Sequence, residues 1–205
     1  MTEIDQDSGF RKTLHDRLAL IAAGAPAPDG PEAQALLPLW PASSPSQRLE
    51  PATLPACDYL ARALELGMAG PESGIATGLP QLTTRLRWTY GYPPNPHYPG
   101  LKHRIAFTEV LGTTGIWPSQ QLLLGFTLIA PHTHYPAHAH PAIELYLVVA
   151  GAATWRLGDA PGEVRPPGSI IVHPSGTPHA MTTDAEPLLA LFTWRGDLAT
   201  PSSYV

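Results

Sequence analysis

From about residue 82 onward the chain breaks into short apolar segments, many rich in β-branched and aromatic side chains. Candidate strands are 83–91, 104–111, 121–130, 142–150, 152–157, 168–173, 178–183 and 187–195, joined by turn-like stretches such as "GDAPGE", "RPPG" and "HPSGTPH". Many short strands at this spacing predict an antiparallel sandwich or barrel. The first 80 residues follow a different period. Leu14, Leu18, Ile21 and Ala22 have helical spacing within 13–23. Residues 31–40 read as a short helix with Pro31 in its first turn. Residues 56–67 carry an apolar stripe of Tyr59, Leu60, Ala63, Leu64 and Leu66, with Gly67 as a natural stop. The stretch "PASSPSQRLEPATLP" (41–55) reads as a loop. No solenoid-type repeat is present. The expected architecture is mainly β: a helical region, residues 1–80, packing on a β-barrel formed by residues 81–205.

Composition supports that reading. The 25 prolines and 18 glycines are spread as punctuation between strand-like segments. With 43% hydrophobic and 14% charged residues, the 205-residue chain is that of a globular protein able to bury a core. The net charge is −5 and Lys and Arg are scattered, which argues against a nucleic-acid footprint or a basic membrane-binding face. A single cysteine, Cys57, excludes an internal disulfide framework and reads as a helix-face packing residue. The segment "MTEIDQDSGFRK" is acidic and polar where a secretory signal would be basic and then apolar. No apolar run approaches the ~20 residues of a membrane span. The expectation is a cytoplasmic protein with neither a nucleic-acid nor a membrane partner.

The candidate chemistry lies in residues 135–151, "YPAHAHPAIELYLVVAG". On a regular strand, His138, His140, Ala142, Glu144, Tyr146 and Val148 share one face, while Ile143, Leu145, Leu147 and Val149 take the other and pack against a second layer. Two imidazoles and a carboxylate on one face are too costly to bury without a partner, and a divalent cation is the obvious one. A nitrogen and oxygen set without thiolate suits Fe(II), Mn, Ni, Co or Zn and does not choose among them. The bland alternative is a half-exposed strand with surface histidines. Against it, six of the nine histidines fall within 132–179.

The chain resembles the cupin superfamily. The first cupin motif, G-x5-H-x-H-x3-E-x6-G, reads here as His138, His140, Glu144 and Gly151, with His132 at the initial Gly position. The second, G-x5-P-x-G-x2-H-x3-N, reads as Gly168, Pro174, Gly176 and His179, with Thr183 at the final Asn position. The resemblance covers roughly residues 100–195. It implies a cupin (double-stranded β-helix, or jelly-roll) barrel and a metal held by His138, His140, Glu144 and His179. Pairing of two copies through barrel edges as a homodimer is compatible with it.

"HYPAHAHPAIELYLVVAG" and "PSGTPHAMTT" are, more narrowly, similar to the cupin-type dimethylsulfoniopropionate (DMSP) lyases, the DddQ kind in particular. That likeness implies β-elimination of a zwitterionic sulfonium carboxylate to acrylate and dimethyl sulfide. A base would take the proton alpha to the carboxylate, and Tyr146 and Tyr135 are the two candidates. A phenol near pKa 10 needs help to act as a base, which a neighbouring divalent cation supplies. For the sulfonium, aromatic faces are suitable: Trp194 by resemblance, with Tyr90, Tyr92 and Trp88 also available, although core packing is the plainer role for Trp88 and Tyr90. His132 and His134 are candidate outer donors, His132 also a candidate substrate contact, and His173 reads as structural. The proline-rich loop 91–100 is either a lid or a connector. Two alternatives stand beside the lyase: another metallo-cupin enzyme, such as a dioxygenase or isomerase, or a cupin that binds a small ligand.

Overall fold

A computed structural model describes residues 3–43 and 45–205. Four helices come first: α1 (Glu3–Gly24), α2 (Asp29–Leu36), α3 (Leu60–Met68) and α4 (Ser73–Gly78). Eleven strands follow: β1 (Ile105–Gly112), β2 (Trp117–Pro118), β3 (Leu122–Ile129), β4 (His134–Ala139), β5 (Ile143–Ala150), β6 (Ala153–Leu157), β7 (Glu163–Arg165), β8 (Ile170–His173), β9 (His179–Thr183), β10 (Leu188–Arg195) and β11 (Ser203–Tyr204). They form two sheets, β2-β1-β3-β10-β5-β8 and β11-β4-β9-β6-β7, antiparallel except for β1 with β2. The sheets make a cupin barrel.

Alternation along the strands divides the apolar residues into two cores. Leu145, Leu147 and Val149 of β5, with Leu189 and Leu191 of β10, face outward and bury Phe10, Leu14 and Leu18 of α1 and Leu64 of α3. The barrel interior holds Tyr146, Val148, Ala190, Phe192, Trp155 and Met181. Helix α2 is tied to the end of β10 by an ion pair in which both Arg195 Nε and Nη2 donate to Glu32 at 2.6 Å.

Several local expectations need correction. Residues 83–91 are not a strand. A 3-10 turn, Leu79–Leu82, runs into this segment, which makes only isolated bridges at Arg87 and Thr89. Nor is the histidine segment one continuous strand. It is two, β4 and β5, in opposite sheets, with Pro141 in the turn between them. Proline lacks the N–H that a continuing ladder needs. Alternation also slips within β4, where an irregularity between Tyr135 and His138 lets both face the interior. Gly67 does not stop α3. It lies inside the helix, where an added Cβ would come within 2.8 Å of Ala76 Cβ on α4.

The two departures from the cupin motifs have local explanations. His132, at the glycine position, has φ +50, the left-handed region that glycine adopts freely. Thr183, at the asparagine position, is buried; its hydroxyl donates to the Ala130 carbonyl (2.7 Å) and accepts from Thr133 N–H (2.9 Å), stitching β9 to the β3–β4 connection.

Candidate active site

Glu144 is the centre of the polar cluster. It lies on the interior face of β5 and is 2% exposed. Its neighbours in the sheet fix the surroundings: Trp194 on β10 and His173 on β8 stand directly opposite it on either side. The Trp194 indole N–H donates to Oε1 at 2.7 Å and His173 Nδ1 donates to Oε2 at 2.9 Å. From the turn after β4, His140 Nε2 comes within 3.1 Å of Oε2; from β9, His179 Nε2 comes within 3.4 Å of the same oxygen. Metal-ligating atoms of His140, Glu144 and His179 all lie within 4.8 Å of one another. His138 sits beside them, its ring edge-on to His179 at 4.1 Å between centroids.

The backbone sets the tautomer of each imidazole. His138 Nδ1 donates to the Pro136 carbonyl (2.8 Å), His140 Nδ1 to Ala142 (3.0 Å) and His179 Nδ1 to Thr177 (2.9 Å). A carbonyl only accepts, so Nδ1 carries the hydrogen and a neutral ring has its lone pair on Nε2. For His140 and His179 that lone pair then faces a carboxylate oxygen, two acceptors in contact with nothing shared between them. The buried Nε2 of His179 has no hydrogen-bond partner. A divalent cation between these atoms removes the conflict, so the residues fit a metal site.

Burial and charge act on the ionisable groups in opposing directions. Burial pushes the Glu144 carboxyl up, but the His140, His173 and His179 imidazoles packed against it, with the His173 N–H donating directly, outweigh it and hold the group well below the usual carboxylate range. Burial holds His138 well below the usual imidazole value and lowers His173 to about 4. Burial lifts the Tyr135 and Tyr146 phenols well above their ordinary value, and the Glu144 charge adds to this at Tyr146. At His138, His173 and Glu144 the result is neutral imidazoles beside an ionised carboxylate, a protonation pattern compatible with metal binding.

The cluster opens into a cavity of about 560 Å³. Tyr92, Tyr135, His138, His140, Glu144, Tyr146 and Trp194 line it. Tyr146 shares a hydrogen bond with Thr127 Oγ1 (3.2 Å). Tyr135 stacks on His138 at 3.9 Å and bonds the Tyr92 hydroxyl, which also donates to Ser202 (2.8 Å). Two expected substrate contacts lie elsewhere. His132 is 70% exposed beside Asp184, and Tyr90 bonds Tyr204 away from the cavity wall. His134, offered as an outer donor, bonds Thr182 at the surface. From loop 91–100 only Gly91 and Tyr92 reach the cavity wall. His173, read as structural from sequence, touches Glu144 instead. Its signal was its place in the histidine-rich span, but only the β5–β8 register reveals the contact.

No helix among the described residues is long and apolar enough to cross a membrane. Comparison with known proteins gives a consistent picture. The family model for dimethylsulfoniopropionate lyase matches residues 34–190. The chain is 38% identical over 189 residues to the putative dimethylsulfoniopropionate lyase DddL of Cereibacter sphaeroides, covering 91% of this chain and 71% of that protein. It is also 38% identical over 97 residues to DddQ of Ruegeria pomeroyi, covering 47% of this chain and 48% of that protein. Among solved structures, one reported with the DMSP lyases RdDddP and RnDddQII superposes with a TM-score of 0.81 at 25% identity, covering 100% of both chains. The barrel, the carboxylate ringed by histidines and a match spanning most of the sequence lead to one conclusion: this chain belongs to the DMSP lyase family.

Proposed function

We propose that this protein is a metal-dependent DMSP lyase, splitting DMSP into acrylate and dimethyl sulfide. The observation that carries the metal is the pair of Nε2 atoms, on His140 and His179, turned by their backbone hydrogen bonds toward one oxygen of Glu144. His140, Glu144 and His179 would hold the ion, with His138 beside them as the fourth ligand. A divalent transition metal bound there would supply Lewis-acid stabilisation of the negative charge that builds at the substrate carboxylate.

The chain's own residues do the rest. Tyr146 is the base. It is two residues beyond Glu144 on the same face of β5, roughly 7 Å along the strand, and it lines the cavity. As the phenolate, which a divalent cation bound nearby would favour against the burial that raises its pKa, it takes the proton alpha to the carboxylate and becomes the phenol. The electrons of that C–H bond form the carbon–carbon double bond, and the C–S bond breaks with its pair leaving on neutral dimethyl sulfide. Thr127 holds the Tyr146 hydroxyl through the 3.2 Å hydrogen bond. Tyr135, locked against His138 and Tyr92, orients the substrate. Tyr92, Phe107, Phe192 and Trp194 give the cavity aromatic walls suited to a sulfonium, which is attracted to ring faces.

The test is product analysis. Protein loaded separately with Fe(II), Mn(II) or Zn(II) is mixed with DMSP; acrylate is followed by proton NMR and dimethyl sulfide by headspace gas chromatography. Equimolar acrylate and sulfide support the lyase; neither product with any metal would refute it.

A further inference from the structure

We propose that His173 is a positioning residue of the metal site, acting with Trp194 to fix both oxygens of the Glu144 carboxylate; this rests on the metal reading above. Trp194, Glu144 and His173 form one row across three adjacent strands, β10, β5 and β8, each directly opposite the next and all facing the barrel interior. A glutamate has three rotatable side-chain bonds, and a ligand must be held within about 0.5 Å of its working position. Here the two flanking residues remove that freedom. Trp194 takes Oε1 and His173 takes Oε2, leaving the remaining lone pair of Oε2 for the space between His140 and His179.

Packing alone does not explain a histidine at this position. His173 is 1% exposed, and the preceding interior position of β8 is Ile171, a residue that fills such a face without a desolvation cost. The imidazole ring is itself held: it stacks on His179 at 3.8 Å with a 28° interplanar angle, and the Tyr146 ring lies 5.5 Å away. One side chain therefore touches Glu144 and His179, both assigned to the metal, and lies beside Tyr146, assigned as the base. Hydrogen bonds from outer groups to a ligating carboxylate set its direction, and their loss typically weakens metal affinity by about 10–100-fold.

The experiment uses the full chain and Co(II) alone as the probe. Co(II) affinity is measured by titration calorimetry, its d–d absorption is recorded, and melting of the metal-free protein is followed by circular dichroism. His173→Leu keeps volume and removes the donor. His173→Asn restores an N–H close to the Nδ1 position. The expected result is Co(II) bound about 10–100-fold more weakly by His173→Leu, with an altered d–d band, and near-wild-type affinity and band for His173→Asn. Should His173→Leu not fold, His173→Gln carries the test, since it moves the donor one bond outward, and weaker Co(II) binding is expected. Wild-type affinity in His173→Leu or His173→Gln would overturn the positioning role. So would a His173→Asn protein as impaired as His173→Leu, because ring shape rather than the donor would then matter. Wild-type protein that takes up no Co(II) would overturn the metal reading, and the positioning role with it.

Discussion

Trp194 and Glu144 stand opposite each other on β10 and β5, and the indole N–H donates to Glu144 Oε1 at 2.7 Å. The same indole stacks obliquely on His140, 4.2 Å between ring centroids, and lines the cavity. Two roles are thus open to one side chain: holding the carboxylate and facing the substrate cation. Trp194→Phe separates them, because it keeps an aromatic face and removes the N–H. If the hydrogen bond dominates, metal affinity falls by about 10-fold or more while KM for DMSP in metal-saturated protein changes little. A raised KM with unchanged metal affinity would assign Trp194 to the cation instead. Calorimetry and steady-state kinetics on the one variant distinguish the two.

The two tyrosines should respond differently to loss of a single oxygen. Tyr146→Phe removes the base and should lower kcat by about 10²–10⁴-fold, with a stability change of only about 1 kcal/mol, the worth of its hydrogen bond to Thr127. Tyr135→Phe should raise KM more than it lowers kcat. Elimination surviving in Tyr146→Phe and lost in Tyr135→Phe would exchange the roles.

Acid should destabilise the metal-free protein early. His173 falls to about 4 in the folded state from an ordinary 6.5. Between those values the unfolded chain binds a proton that the folded one refuses, so stability drops as pH falls from about 6.5 to about 4. A shift of that size corresponds to a few kcal/mol at most. His173→Asn has no such proton to bind, and its melting temperature should decline less steeply across the same window. Parallel melting curves for the two proteins from pH 7 to pH 4 would contradict this.

Gly151 closes the turn between β5 and β6 with φ +73, and an added Cβ would lie 2.0 Å from the Pro187 carbonyl oxygen. Both backbone strain and a clash with fixed main chain oppose any side chain there. Gly151→Ala should cost at least about 2 kcal/mol, seen as a drop in melting temperature or loss of soluble protein. Wild-type melting would show that the turn can open.

Much of this architecture is legible in local pattern, and what is not legible is long-range. Seven candidate strands, from 104–111 to 187–195, fall within two residues of β1, β3, β5, β6, β8, β9 and β10, because alternation and Gly/Pro punctuation are local signals. The reading of 83–91 as a strand failed because its apolar residues, Leu86 and Trp88, bury against the helix-side core without a regular ladder partner. At the site, His138, His140 and Glu144 are legible from spacing and His179 from the cupin resemblance, yet their convergence arises differently from a shared strand face. The turn at Pro141 delivers His138 and Glu144 from opposite sheets. The contact of His173 with Glu144, and the displacement of His132 and Tyr90 from the cavity, depend on register and loop path, which no local window encodes.

Chelation followed by reloading tests the central claim most directly. Protein stripped of metal and then given back one divalent transition metal at a time is assayed for dimethyl sulfide from DMSP by headspace gas chromatography, beside Glu144→Ala treated identically. Sulfide should vanish on stripping, return on reloading, and be absent from Glu144→Ala throughout. Undiminished sulfide from the stripped protein, or a wild-type rate from Glu144→Ala, would contradict a metal-dependent lyase centred on this carboxylate.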